Sequence, residues 1–152
     1  MELEIDFAVA GKYGDYHESY SRNMKIFKRF IRVFELFFKK GKYENSQVVI
    51  DDEAKNRATI CFCARNYRLS LSLDPAELDR APVQLEAIAA ERPHELARAT
   101  IVKSESVVFP GGQAVSLKDD YDFNNAVLNF FITAISHPGA ETASTRKSPA
   151  RK

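Results

Sequence analysis

The chain has 152 residues, a length that favours one domain, and its 45% apolar and 28% charged residues are ordinary globular usage. Eleven Phe and six Tyr can fill a core without disulfides or a structural metal. No apolar run approaches the ~20 residues of a membrane helix. The first residues lack a basic stretch before an apolar one, so no leader is expected. The two cysteines, Cys61 and Cys63, read as reduced thiols. A cytoplasmic protein follows as the expectation, with the nucleus as the alternative.

Net charge is +1, but the charges are segregated. Residues 1–17 sum to −3, 18–42 to +6, 43–137 to −5 and 138–152 to +3. A basic stretch is set into an acidic body and a basic tail follows.

Leu3, Ile5, Phe7 and Val9 alternate with Glu2, Glu4 and Asp6, which predicts a strand over 2–9 with an acidic outer face. Gly11 to Asp15 reads as a break. A helix is predicted over 18–40. Phe27, Phe30, Ile31, Phe34, Phe37 and Phe38 form its apolar stripe at the 3.6 period. Ser19 or Ser21 would cap it, and Gly41 would stop it.

Short strands are predicted at 47–50, 57–64 and 67–73, the last two joined at Arg65-Asn66, as an antiparallel meander. Asp74-Pro75-Ala76-Glu77 reads as a helix start. Residues 82–98 are ambiguous. Val83, Leu85, Ala87 and Ala89 alternate, while Ala and Glu content favours short helical pieces, the reading preferred here. An extended segment over 99–109 turns at Pro110-Gly111-Gly112 into 113–117. A second helix is predicted over 120–136, with Phe123, Val127, Phe130, Phe131 and Ala134 as its stripe and Ser116 or Asp119 as cap. Residues 139–152 lack apolar periodicity and read as a disordered basic tail beyond a single 1–138 domain.

These elements define an α+β fold: an antiparallel sheet packed against two long amphipathic helices. Glu2, Glu4, Asp6, Ser70 and Ser72 would lie on the sheet face away from the helices. The expected core comprises Phe27, Phe30, Phe34, Leu69, Leu71, Phe123, Val127, Phe130 and Phe131.

Chemistry is thinly marked. Lys25, Lys28, Arg29, Arg32 and Lys39 share one face of the first helix, opposite Phe34, and form the candidate surface for an anionic partner. A solvated outer face is the plainer reading of the same ridge. Cys61 and Cys63, two apart, would share a strand face; packing is favoured over metal or redox chemistry, because a closed zinc site needs four ligands. Asp51-Asp52-Glu53 reads as a solvated hairpin loop. Asp119, Asp120 and Asp122 read as a helix cap. No phosphate loop, zinc-protease pair or nucleophile elbow is present. No catalytic residue, cofactor or metal is assigned.

The functional expectation is a non-enzymatic protein-interaction or adaptor module, with self-association as an extension. One alternative is a nucleic-acid-binding accessory protein using the basic helix face and tail. The other is an enzyme with a dispersed site.

Overall fold

A computed structural model describes residues 4–88, 93–103 and 105–136. Helix α1 (Phe7–Gly41) leads into seven strands: β1 (Gln47–Ile50), β2 (Arg57–Phe62), β3 (Arg65–Leu71), β4 (Arg80–Ile88), β5 (Pro93–Val102), β6 (Ser106–Phe109) and β7 (Gln113–Ser116). Helix α2 (Asp120–Ser136) follows. The strands pair strictly in sequence order, β1 to β7, and every pairing is antiparallel. The expected α+β class, one antiparallel sheet with two helices, is what the chain adopts.

The inner face of the sheet follows from register. Ala58 pairs with Leu69, Leu69 with Leu85 and Leu85 with Ala97. Ala81 pairs with Ile101, Ile101 with Val107 and Val107 with Val115. All of these residues are buried. The opposite face is polar, with Arg68 near Glu86 at 3.8 Å and Arg98 paired to Glu95 at 3.1 Å. Period-two alternation thus buries one face and wets the other.

Both helices contribute to the same core. Phe30 meets Phe123 edge-on at 5.3 Å and Phe34 meets Phe131 at 5.2 Å. Phe131 in turn contacts Tyr67 and Phe62 from the sheet. Edge-to-face rings align positive edges with negative faces and add to the burial itself. Every expected core residue is buried.

Several expectations are corrected. The 2–9 strand does not form: 4–6 lack regular structure and α1 begins at Phe7. Asp6 is its N-cap and accepts from the Ala8 N–H at 2.7 Å. The alternation of acidic and apolar residues therefore lies beside a helix start, and Glu4 and Asp6 are not on the sheet. α1 also runs through Gly11 and Gly14, where a break was expected. It ends one residue later than expected, and the left-handed residue there is Lys42 rather than Gly41. A Cβ at Gly41 would meet the ring of Tyr43, which would have to move aside.

The segment 82–98 is strand, not helical pieces, wherever it is described: β4 and β5 form a long hairpin. Cross-strand pairing overrides the helical preference of its Ala and Glu residues. A register shift at Leu85/Glu86 leaves Leu96 as the extra residue on β5, so Leu96 and Ala97 are both buried. That bulge interrupts the alternation. The extended 99–109 segment is two strands, folded back at Glu105, which has φ 65°. The β2–β3 turn is Cys63-Ala64, both with positive φ, and Arg65-Asn66 already belong to β3. Ser70 lies on the polar face, but Ser72 stands beyond β3 and bonds Glu77. The 139–152 tail lies outside the described residues.

Asp51 illustrates how local bonds hold a hairpin. Its Oδ1 accepts from the N–H groups of Glu53 at 2.9 Å and Ala54 at 3.1 Å, and Arg57 reaches Oδ2 at 3.3 Å. The Ala54 and then the Glu53 N–H hold its carboxyl below the ordinary range, with Arg57 adding to them. A depressed folded value stabilises above the unfolded value and fades as pH falls through the folded one. Asp51→Ala should therefore lower the urea midpoint at neutral pH, and the gap from wild type should narrow below about pH 4. Phe34→Ala, at the centre of the aromatic core, should cost about 3–5 kcal/mol in urea unfolding.

Candidate interaction surface

The basic ridge is only partly a free surface. Lys25, Lys28, Arg32 and Lys39 are exposed. Arg29 is used internally. Its Nη1 donates to the Leu117 carbonyl at 2.9 Å and its Nη2 to Asp120 at 3.0 Å. The guanidinium also lies 4.4 Å from the centre of the Phe123 ring. Arg29 thus fastens the start of α2 to the middle of α1. The expected ridge is therefore split into a structural arginine and four exposed cations around it.

Helical spacing carries a second feature that the ridge obscured. Val9, Tyr13, Tyr16, Tyr20, Asn23, Phe27, Phe30 and Phe34 follow one another at alternating spacings of four and three residues. That is the heptad seam of a coiled-coil helix. Phe27, Phe30 and Phe34 are its buried half. The first half is uncovered. Val9 is 47% exposed, Tyr13 70%, Tyr16 49% and Tyr20 39%. Every residue from Glu4 to Glu18 is exposed. At ~100° per residue the tyrosines sit directly above the core phenylalanines, on the face that would meet the sheet if the sheet reached so far.

Asn23 marks the boundary. It is fully buried, and its Nδ2 donates to the Leu78 carbonyl at 2.8 Å. This bond ties α1 to the 3-10 turn Pro75–Glu77, whose own cap is Asp74. A cleft of about 570 Å³ opens there, between α1 and that turn. Lys12, Tyr16, Arg22, Leu78 and Lys103 contribute to its walls. The Arg22 Nε and Nη2 are buried and have no hydrogen-bond partner among the described residues. A second groove, of about 370 Å³, lies between the helices and is lined by Arg32, Leu36, Phe37 and Leu128.

The other candidates resolve into local structure. Cys61 is on β2 and Cys63 is in the turn, so the two do not share a strand face as expected. The Cys61 thiol donates to the Asn45 carbonyl at 3.4 Å. Asp119 accepts from the Asp122 N–H at 3.0 Å, as a cap should. The charge of Asp119 pushes the Asp122 carboxyl upward. Among the described residues no group of three or more His, Cys, Asp or Glu is placed to hold a metal ion. None of the described helices is long and apolar enough to cross a membrane.

Compared with family models, curated proteins and solved structures, the chain matches none.

Arg29 and the exposed cations should separate cleanly in experiment. Arg29→Ala should cost about 1–2 kcal/mol in urea unfolding, because it frees a carbonyl and removes a ring contact. Lys28→Ala with Arg32→Ala should leave the urea midpoint unchanged. If the four exposed cations contact phosphates, that double change should flatten the log–log salt slope of binding to mixed-sequence DNA by about two units. Absence of binding at about 50 mM salt excludes the nucleic-acid reading.

Proposed function

We propose that the protein is a non-enzymatic interaction module whose docking surface is the uncovered start of α1. The observation that carries this reading is the tyrosine seam, Val9–Tyr13–Tyr16–Tyr20, which continues the core stripe and stays exposed among the described residues. Tyrosine suits such a surface: it offers a large apolar ring with little rotamer entropy to lose, and a hydroxyl that stays wet at the rim. A helix presenting anchors at heptad spacing is recognised by another helix or by an apolar groove.

Energetics support the same reading. A free helical segment of this length is marginal in water. Gly11 and Gly14 weaken it further, each by about 1 kcal/mol relative to alanine. A docked partner supplies the tertiary contacts that the first turns of α1 lack. Two displaced carboxyl values, at Asp51 and Asp122, have local causes and lend no support to an enzymatic site.

Site-specific photocrosslinking tests the reading. A benzophenone amino acid at Tyr13 should give a discrete adduct in the cells that express the protein. The adduct should disappear when Tyr16→Glu is added. The same probe at the exposed Glu35, 22 residues further along α1 in its packed half, should give none. Failure of Tyr13 to give an adduct, or equal adducts at both positions, would overturn the proposal.

A further inference from the structure

We infer that the partner on this seam is a second copy of the chain, with the two α1 starts packed antiparallel about a two-fold axis. The inference rests on the docking reading above and adds the identity and direction of the occupant.

The seam matches itself when reversed. Val9 falls opposite the second copy's Tyr20, and Tyr13 opposite the second copy's Tyr16, with the symmetry-related pairs repeating them. Every uncovered seam position from Val9 to Tyr20 thereby gains an apolar neighbour, and none is left over. An isologous contact of this kind closes on itself and leaves no open end to propagate.

Direction follows from what covers the rest of the helix. From Asn23 onward the seam is occupied by the chain's own core. A parallel second helix would arrive at that point together with its own sheet, and the two bodies would compete for one place. An antiparallel helix carries its body to the opposite end. Charge points the same way. Glu4, Asp6, Asp15 and Glu18 make the start of the helix region acidic, and Arg22, Lys25, Lys28, Arg29 and Arg32 make its middle basic. Antiparallel packing brings Glu4 and Asp6 level with the second copy's Arg22 and Lys25, within about one Debye length.

The cleft at the foot of the seam fits the arriving end. In this alignment the second copy's residues 4–7 come level with Arg22 to Lys25. Here Lys12, Arg22 and Lys103 line the cleft together with Asp15, Glu18 and Asp79, and Leu78 gives it an apolar wall. Glu4 and Asp6 bring carboxylates, and Ile5 and Phe7 bring apolar bulk; Ile5 and Phe7 are both exposed in the single chain.

The seam is short, well below the ~800 Å² per partner of a standard interface, so the dimer should be of about micromolar strength or weaker. The test uses the full chain carrying Cys61→Ser and Cys63→Ser. Sedimentation velocity between about 1 and 200 µM should show a monomer–dimer equilibrium. Tyr16→Glu should weaken it at least about tenfold, and Tyr16→Phe should preserve it. Thermal melts of both variants at low concentration should match the parent, since the position is exposed in the monomer. Direction is read by mixing a Val9→Cys chain with a Tyr20→Cys chain under mild oxidation. The antiparallel dimer gives mainly the mixed disulfide. Predominant self-disulfides of each chain would mean parallel packing and overturn the inference. A monomer at every concentration would overturn it as well. In that case a Tyr13 photoadduct to a different protein would leave the docking reading standing, and loss of that adduct too would remove both.

Discussion

Phe34 and Phe30 on α1 meet Phe131 and Phe123 on α2 edge to face, and Phe131 passes the contact on to Tyr67 and Phe62 of the sheet. The rest of the molecule depends on this aromatic knot. It fixes the lateral and axial position of α1, because rings packed at edge-to-face geometry tolerate little sliding. Arg29 reinforces the same alignment from the polar side by joining α1 to Leu117 and Asp120 at the entrance to α2. The helices that precede and follow the strands are thus locked together over one sheet face. The position of the exposed seam follows directly: with Phe27 to Phe38 committed to the sheet, the turns before Asn23 fall outside the core.

Length makes that outcome unavoidable. Seven strands at ~4.8 Å spacing span about 29 Å, and the longest strand, ten residues, about 33 Å. Thirty-five helical residues extend about 52 Å. In neither direction can the sheet cover the whole of α1. A polar or charged first half would have resolved the mismatch at no cost in exposed apolar area. The sequence instead places Val9, Tyr13, Tyr16 and Tyr20 on the face that continues the core stripe, with Lys12, Asp15 and Glu18 elsewhere on the surface. An apolar stripe kept in register past the point where its own core ends is a surface with a preferred geometry, not scattered exposure of single residues.

Much of the architecture was legible because the two Phe stripes repeat at the helical period and β3 alternates without interruption. The failures have specific physical causes. Leu3 to Val9 alternates because acidic residues flank a helix cap, and period two over so few residues does not distinguish the two cases. Gly11 and Gly14 concealed the upstream half of α1, since glycine lowers helix propensity without forbidding the helix. The Ala- and Glu-rich segment around Val83 to Ala87 is strand because neighbours on both sides supply its partners, and no local propensity reports those. The bulge at Leu96 erased the alternation that could have betrayed β5. Of the candidate ridge, four cations are exposed, but in the sequence Arg29 looks equivalent to them. Only the fold, by bringing Leu117 and Asp120 beside it, distinguishes it. The heptad spacing from Val9 to Phe34 was present in the sequence throughout. It became visible only once the helix was known to continue through its glycines.

Asn23 gives the division within α1 its physical form. A polar residue at a seam position costs stability unless its hydrogen bonds are met, and in return it restricts which partner and register the seam accepts. Asn23 meets one bond, to the Leu78 carbonyl, and thereby pins α1 to the end of the sheet. Below it the stripe is phenylalanine, suited to a dry interior. Above it the stripe is tyrosine, suited to a contact that must be soluble when open and apolar when closed. The change of aromatic residue coincides with the change of environment, on either side of a buried amide. One helix thus serves two interfaces: a permanent one with its own sheet, and one at its start whose residues are compatible with both water and a second helix.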